Sequence, residues 1–309
     1  GYSCGAHRSA VNYTLSSYSF FSNCACVQEM NTEPVLIRSD GIKKDDDKSD
    51  NCKIDKGKVD KGNIDKGNLD EEDVDKEKID KEKIDEKKVD KGRVVVSWTG
   101  GKDGCLACYG AILEGFEVTH LLNFREIQRR GSHDINPALL YAQAEALGIP
   151  LIHKDFISYE QEFKKAVREL RDSGEIIDGA VFGHIETHKN LVDRICRELG
   201  LELIMPLWQR SSGQIINDLT GLGFEVILLS VKADLLGKEW LGRKIDENFI
   251  CDLKKHNPSI DPCGENGEFH TFVTNCPLFK NKINVSESEM VLRGGYWFLE
   301  ISKFGAEKK

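Results

Sequence analysis

Residues 93–104 read Arg-Val-Val-Val-Ser-Trp-Thr-Gly-Gly-Lys-Asp-Gly, and this stretch decides the fold. The three consecutive valines predict a buried strand, and the glycine pair predicts a tight turn after it. The apolar positions between Leu106 and Leu113 predict a helix that follows the turn. A strand that passes through a glycine turn into a helix is the repeating unit of a parallel α/β sheet. We therefore expect an α/β domain that begins near Arg93.

The turn at residues 99–104 has the chemistry of a phosphate-binding site. Its two glycines let main-chain N–H groups approach an anion, and the start of the helix adds partial positive charge. The lysine supplies a full positive charge, and the serine and threonine hydroxyls add donors. Asp103 is placed to cap the helix or to hold magnesium, and the glycine spacing fits neither the Walker loop nor the dinucleotide fingerprint. The predicted phosphate-binding residues are Ser97, Thr99, Gly100, Gly101, Lys102, Asp103 and Gly104.

Strands and helices continue to alternate beyond this loop. Apolar patterns predict strands at 116–124, 150–156, 178–183 and 202–207, and helices at 137–147, 159–170 and from 184 to about 199. Such alternation implies a doubly wound, Rossmann-like parallel sheet with helices on both faces. Ligands bind these sheets at the carboxyl ends of the strands, where the phosphate loop and Gly183-His184 are both expected.

Composition divides the chain of 309 residues into three parts. Residues 1–92 contain few large apolar residues, and from Ile54 an apolar-Asp pattern returns every five residues. A five-residue step gives neither a helix nor a strand an apolar face. We predict that 1–92 form a disordered, low-complexity extension, that 93–207 form the phosphate-binding domain and that 208–309 form a smaller α+β subdomain. The alternative for the repeat is a tail that binds a partner.

Charge and cysteine content restrict the partners and the compartment. Residues 94–309 carry 25 basic and 31 acidic side chains, which disfavours nucleic acid as the main partner. No apolar run is long enough to span a membrane. The ten cysteines lack the spacing of a disulfide framework, and Cys105 and Cys108 fall on one side of a predicted helix, where we expect them to pack in the core. We expect a cytoplasmic protein with reduced thiols.

A second cluster of polar side chains lies near the C-terminus, where residues 264–272 read Gly-Glu-Asn-Gly-Glu-Phe-His-Thr-Phe. Glu265, Glu268 and His270 fall within six residues of each other. Two carboxylates and an imidazole can bind magnesium, orient ammonia or act as general bases. The alternative is a glycine-rich turn that enters a strand and exposes its acids to solvent.

Both clusters resemble motifs of one known family. The loop resembles the Ser-Gly-Gly-Lys-Asp-Ser signature of the ATP pyrophosphatases, which are adenine nucleotide alpha hydrolase-like proteins. Residues 264–271 resemble the Gly-Glu-Asn-Gly-Glu-Phe-His-Thr signature of the diphthine–ammonia ligase family, archaeal type. Further motifs of that family recur in order at Pro206-Leu207-Trp208, Gly223-Phe224, Trp240-Leu241-Gly242-Arg243 and Pro277-Leu278-Phe279. The resemblance covers essentially all of 93–309.

Two positions depart from that family's pattern. The final serine of the loop signature is Gly104 here, which leaves only a main-chain N–H. The family's Gly-Asp-Ile is Gly183-His184-Ile185, and the His-Arg pair that follows is His188-Lys189. Lysine lacks the planar fork with which arginine binds a carboxylate or phosphate through two hydrogen bonds.

The resemblance implies an ATP-dependent amidation. In that family the carboxylate of diphthine, a modified histidine of translation elongation factor 2, is adenylated, and ammonia then displaces AMP to give diphthamide. The implied cofactors are ATP and Mg²⁺, and the implied partners are elongation factor 2 and ammonium. The implied catalytic residues are Lys102, Glu265, Glu268 and His270. The implied substrate-binding residues are His184, His188, Lys189, Trp240, Gly242, Arg243 and Thr271, in a cleft between the two halves.

Two other functions stay open on the sequence. One is a related ATP pyrophosphatase that adenylates a tRNA base or a small metabolite. The other is a regulatory protein that binds ATP without turnover, which the departures at Gly104 and His184 would permit. A concentrated basic stripe would favour tRNA. ATP binding without release of pyrophosphate would favour regulation.

Overall fold

The computed structural model describes residues 36–37, 90–126 and 135–309. The pentad repeat between residues 54 and 89 lies outside this part of the chain, so its disorder stays a prediction. Strand β1 (Leu36–Ile37) lies within the extension and pairs with a strand of the C-terminal half. Within the described residues, no helix is both long and apolar enough to cross a membrane.

A five-stranded parallel sheet forms the first half. Its strands are β2 (Arg93–Ser97), β3 (Glu117–Glu126), β4 (Leu151–Phe156), β5 (Gly179–Val181) and β6 (Glu202–Ile204). They lie in the order β4-β3-β2-β5-β6, and each pairing is parallel. The chain winds outward from β2 in one direction and then, from β5, in the other, so the switch point lies at β2. The predicted doubly wound sheet is confirmed.

Four helices connect these strands. They are α1 (Lys102–Leu113), α2 (Pro137–Leu147), α3 (Tyr159–Asp172) and α4 (Lys189–Leu199). Helix α2 shows why such boundaries form: the Asn136 side chain accepts a hydrogen bond from the N–H of Ala138, and Gly148 ends the helix in a left-handed conformation. Cys105 and Cys108 of α1 are fully buried in the core, which confirms their predicted packing.

An antiparallel sheet forms the second half, as expected for an α+β subdomain. Its strands are β7 (Glu225–Lys232), β8 (Phe269–Asn275), β9 (Asn281–Arg293) and β10 (Tyr296–Lys308), in the order β1-β9-β10-β7-β8. Helix α5 (Ser212–Gly221) precedes the sheet, and α6 (Phe249–His256) lies between β7 and β8. Strand β8 is therefore an edge strand of this sheet. The boundaries at 92/93 and 207/208 stay predictions.

Candidate functional site

The phosphate loop is hydrogen-bonded to the edge strand β8. The main-chain N–H of Val273 donates to the oxygen of Gly100 at 3.1 Å. The N–H of Lys102 donates to the hydroxyl of Thr271 at 3.0 Å. These contacts bring the loop against the strand that continues the 264–272 motif. They also place Thr271, which is predicted to bind substrate, against the main chain of the loop.

Close approaches of the main chain explain two of the glycines. Gly100 has a φ of +77°, and a Cβ there would lie 2.7 Å from a methyl carbon of Leu140. A Cβ on Gly183 would lie 2.7 Å from main-chain atoms of both Asp103 and Gly104. The carboxyl end of β5 therefore touches the first turn of α1. A Cβ on Gly104 itself would make only an ordinary contact, 3.5 Å from the oxygen of Ser97.

Lys102 is buried with its charge paired. Its side chain is 3% exposed, and its ammonium donates to the carboxylate of Asp103 at 2.7 Å and to the main-chain oxygen of Cys263 at 2.5 Å. Burial works against the charge, but the Asp103 carboxylate, with a smaller effect of Glu265, outweighs it and raises the pKa of Lys102. The lysine thus keeps its positive charge at the start of α1.

Glu265 lies beside this ion pair and titrates near neutral pH. Burial, reinforced by the charge of Asp103, raises the pKa of Glu265 to about 7, although Lys102 opposes the shift. Asp261 and Glu186 add further negative charge. A carboxyl group with a pKa near 7 can bind and release a proton at physiological pH, as a general acid or base must.

Glu268 lies inside the turn. It is 4% exposed, and its carboxylate accepts hydrogen bonds from the main-chain N–H groups of Asp261 and Asn266, at 3.1 and 2.9 Å. The side-chain amide of Asn266 donates to it as well, at 3.1 Å. The two acids of the motif therefore differ in surroundings: the pKa of Glu265 responds to the charges of Asp103 and Lys102, and the Glu268 carboxylate holds the turn closed.

His270 faces away from the phosphate loop. Successive side chains of a strand point to opposite faces, and the neighbouring Thr271 contacts the loop. The His270 ring stacks on Tyr296, with 6.3 Å between the ring centroids. The hydroxyl of Tyr296 donates to the oxygen of Gly267 at 2.9 Å, so this pair supports the turn from its other side. The structure does not bring His270 to the loop.

The hydroxyls and the acid of the loop have distinct surroundings. The hydroxyl of Ser97 is hydrogen-bonded to that of Tyr159 at 2.8 Å, whereas Thr99 is exposed at the loop. Asp103 Oδ1 is buried without a hydrogen-bond partner, which marks it as an acceptor for a ligand. No group of three or more His, Cys, Asp or Glu side chains in the described ranges is arranged to hold a metal ion.

Two histidines and a lysine follow β5, close to the loop. His184 stacks on Phe182, with 6.1 Å between the ring centroids, and the His188 ring is 5.3 Å away. Burial, with a smaller effect of His188, lowers the pKa of His184 to about 4, so this ring is neutral at physiological pH. The Lys189 ammonium lies 5.2 Å from the ring centroid of Trp208.

The segment around Trp240 and Arg243 forms its own cluster with α6. Arg243 donates to the carboxylates of Asp246 and Asp252, each at 2.7 Å. Trp240 packs edge-on against Phe249, with 6.3 Å between the ring centroids. The guanidinium thus has acidic partners within the chain. Substrate binding by this segment, which includes Gly242, stays a prediction.

Sequence patterns missed Gln143, a fully buried residue of α2 that is hydrogen-bonded to the loop. It occupies a position on the apolar side of the helix, three and four residues after Leu140 and Leu139. The sequence signal for Gln143 is a polar residue on the apolar side of a predicted helix. Burial of an amide is costly unless the amide is hydrogen-bonded, so a glutamine at this position is expected to have hydrogen-bond partners.

Comparison with known proteins gives matches over both halves. Residues 92–203 match the family model of the diphthamide synthase N-terminal domain, and residues 211–306 match that of the diphthamide synthase C-terminal domain. The chain is 26% identical to the human diphthine–ammonia ligase over an alignment of 240 residues, and the match covers 68% of this chain and 89% of the human protein. For the mouse ligase, the identity is 27% over an alignment of 252 residues, and the match covers 70% of this chain and 93% of the mouse protein.

The ligase of Schizosaccharomyces pombe is 28% identical over an alignment of 222 residues, and the match covers 62% of this chain and 36% of that longer protein. Among solved structures, the chain is similar to a predicted subunit of tRNA methyltransferase from Methanocaldococcus jannaschii. That similarity has a TM-score of 0.34 and 16% sequence identity, and it covers 60% of this chain and 97% of the other.

Proposed function

Because this chain belongs to the diphthamide synthase family, we propose that it is an ATP-dependent ligase that converts diphthine on translation elongation factor 2 into diphthamide. A carboxylate oxygen of diphthine bonds to the α-phosphorus of ATP as pyrophosphate leaves. The nitrogen of ammonia then bonds to the acyl carbon as AMP leaves. The chain spans 89% of the human protein that is named for this reaction.

The observation that carries this proposal is the buried Lys102 at the start of α1. An ammonium has three N–H donors, and the contacts with Asp103 and Cys263 use two of them. The third donates to a phosphate oxygen of ATP, together with main-chain N–H groups of the loop. Negative charge builds up on pyrophosphate as it leaves, so a positive charge already in place stabilises the transition state more than the bound ATP.

Glu265 supplies the acid–base chemistry of the second step. Ammonium has no lone pair and must lose a proton before its nitrogen attacks the acyl group. Glu265, with a pKa of about 7, binds the cation in its ionised form and accepts that proton. The acids around it, Asp103, Asp261 and Glu186, favour a small cation over an anion at this place.

The loop also fits magnesium. Mg²⁺ in nucleotide sites is held by one or two carboxylates together with substrate phosphates, and Asp103 Oδ1 is a buried acceptor without a partner. Bound there, Mg²⁺ would neutralise charge on the phosphate oxygens. We further propose that ammonium is the nitrogen donor, that elongation factor 2 carrying diphthine is the protein substrate and that the reaction takes place in the cytoplasm.

Release of pyrophosphate and AMP by the full-length chain tests this function. The assay contains ATP, Mg²⁺ and ammonium, with elongation factor 2 that either carries diphthine or lacks the modification. We expect release only with the modified factor, and a mass decrease of the factor by about 1 Da as a carboxylic acid becomes an amide. Release that requires tRNA or a small carboxylate instead would support a sister enzyme. ATP binding without cleavage under every condition would support a regulatory protein.

A further inference from the structure

Gln143 connects the phosphate loop to strand β8 through its side-chain amide. The Nε2 group donates to the main-chain oxygen of Gly100 at 3.0 Å and to that of Val273 at 2.8 Å. The Oε1 atom accepts from the indole N–H of Trp98 at 3.1 Å. Both amide N–H groups are therefore used, in a residue that is fully buried.

These hydrogen bonds orient one peptide group of the loop. The oxygen of Gly100 accepts from the Gln143 side chain of α2 and from the main-chain N–H of Val273 in β8, so two donors fix its direction. The described residues contain no cis peptide bond. In a trans peptide the C=O and the next N–H point in opposite directions, so the N–H of Gly101 points away from Gln143 and the Val273 N–H. That is the side on which a phosphate can approach the start of α1.

We propose that Gln143 is a positioning residue for the nucleotide, an inference that rests on the proposed function. Its amide holds the Gly100–Gly101 peptide in the orientation that presents an N–H to a phosphate oxygen. Through Val273 it also sets the register between the loop and β8, which follows the turn that carries Glu265. Gln143 itself touches neither ATP nor the acyl group.

Apolar packing of α2 does not require an amide at position 143. Leu139, Leu140 and Leu147 occupy the same buried side of α2, and a leucine would fill similar space. Replacing the amide would leave the oxygen of Val273 and the indole N–H of Trp98 without this partner. A buried amide is retained at a cost in desolvation, which its three hydrogen bonds offset.

Three variants of the full-length chain test the inference. Gln143→Leu removes all three hydrogen bonds at similar volume. Gln143→Glu keeps an acceptor for Trp98 but places a carboxylate against two carbonyl oxygens unless it is protonated. Leu147→Ala is the matched control, because it removes buried apolar contacts from the same helix and leaves the loop hydrogen bonds intact. Thermal unfolding, ATP affinity by calorimetry and amide exchange at Gly101 are measured for each.

We expect Gln143→Leu to bind ATP roughly tenfold to a hundredfold more weakly and to exchange the Gly101 amide faster, at temperatures where it is fully folded. Leu147→Ala should lower the melting temperature and leave ATP affinity unchanged. Gln143→Glu should recover affinity as the pH falls, since the protonated acid can donate one hydrogen bond. In pyrophosphate release, Gln143→Leu should raise the KM for ATP and lower kcat.

Unchanged ATP affinity in Gln143→Leu would overturn the inference, and so would an equal loss of affinity in Leu147→Ala. The failure of the proposed function looks different. In that case the wild-type chain binds ATP but releases no pyrophosphate with the modified factor, and ATP affinity still decides the role of Gln143. A wild-type chain that binds no ATP would exclude both.

Discussion

The ammonium of Lys102 donates a hydrogen bond to the main-chain oxygen of Cys263, with 2.5 Å between the two atoms. Lys102 begins the first helix of the parallel half, and Cys263 directly precedes the glycine–glutamate turn of the antiparallel half. The contact therefore brings Lys102, whose charge we propose stabilises pyrophosphate, close to the turn that carries Glu265, the proposed acceptor of the ammonium proton. Because of this hydrogen bond, the residues proposed for adenylation and for amide formation lie in one site.

Lys102→Ala should lower the rate of pyrophosphate release about 100- to 1000-fold, as expected when one preplaced charge is lost from a developing anion. Single-turnover release with the modified factor measures this effect. Lys165→Ala, which removes an exposed lysine from α3, is the matched control and should leave the rate unchanged. A Lys102→Ala rate within tenfold of wild type, in a folded protein, would contradict the role of the lysine.

Because of Glu265, the rate of amide formation should fall as the pH drops below about 7. Its pKa is raised to about 7, so the ionised form that accepts a proton from ammonium prevails only above that pH. We expect the rate of amide formation to rise with pH through about 7. Glu265→Gln should remove this dependence of the rate on pH and lower the maximal rate of amide formation by about 100-fold or more. A pH profile of the wild-type rate that stays flat between pH 6 and 8 would argue against Glu265 as the base.

The same shift changes stability with pH. Between the usual glutamate pKa of 4.5 and the folded value of about 7, the folded chain holds a proton that the unfolded chain releases. The free energy of unfolding should therefore fall as pH rises through this window. In Glu265→Gln that contribution is absent, so the variant should be more stable than wild type at pH 8, by about 1–2 kcal/mol once solvent screening is allowed for. Urea denaturation at pH 5 and pH 8 measures the difference.

Local patterns were sufficient to predict the alternating elements and the glycine turn between β2 and α1, because apolar periodicity and glycine turns act over a few residues. They were not sufficient to separate Glu265 from Glu268, which have the same chemistry three residues apart. What separates them is tertiary: the charges of Asp103 and Lys102 act on Glu265, and main-chain N–H groups enclose the Glu268 carboxylate. Gln143 was missed because its partners, Gly100 and Val273, are distant in sequence.

Glu268→Gln should affect stability more than chemistry. The carboxylate accepts three N–H groups, and an amide in its place would turn an NH₂ group toward a donor. We expect a loss of about 1–3 kcal/mol in the free energy of unfolding. Under folding conditions its rate should fall much less than that of Glu265→Gln. Urea denaturation and the amidation rate, measured on both variants, separate the two roles, and a rate loss equal to that of Glu265→Gln would restore Glu268 as a catalytic candidate.

Gly183→Ala should disturb the loop from the side of β5. The new Cβ would lie 2.7 Å from main-chain atoms of Asp103 and Gly104, and main chain cannot move aside as a flexible side chain does. We expect a loss of about 1–3 kcal/mol in stability and weaker ATP binding. Gly213→Ala is the control, because a Cβ at this position of α5 meets nothing within 4 Å and alanine favours the helix. Equal ATP affinity in Gly183→Ala and wild type would show that the contact does not shape the site.

Gly104→Ser should be accepted by the fold and should strengthen ATP binding. Gly104 is the third residue of α1, and its Cβ would lie 3.5 Å from the oxygen of Ser97 and 3.9 Å from the nitrogen of Thr99, which are ordinary contacts. The added hydroxyl would stand in the first turn of α1, beside Lys102 and the main-chain N–H groups that we propose bind phosphate. One further hydrogen bond of about 0.5–1.5 kcal/mol predicts roughly two- to tenfold tighter ATP binding.

Calorimetry with ATP measures this effect, and Gly213→Ser is its control. Both substitutions replace a helical glycine, so both should raise stability by a few tenths of a kcal/mol through helix propensity. Only Gly104→Ser should change ATP affinity, because Gly213 lies on α5, outside the phosphate loop. If both variants gain stability and neither gains affinity, the hydroxyl at position 104 does not reach a phosphate. The loop would then bind ATP through Lys102 and its main-chain N–H groups, without a side-chain donor at that place.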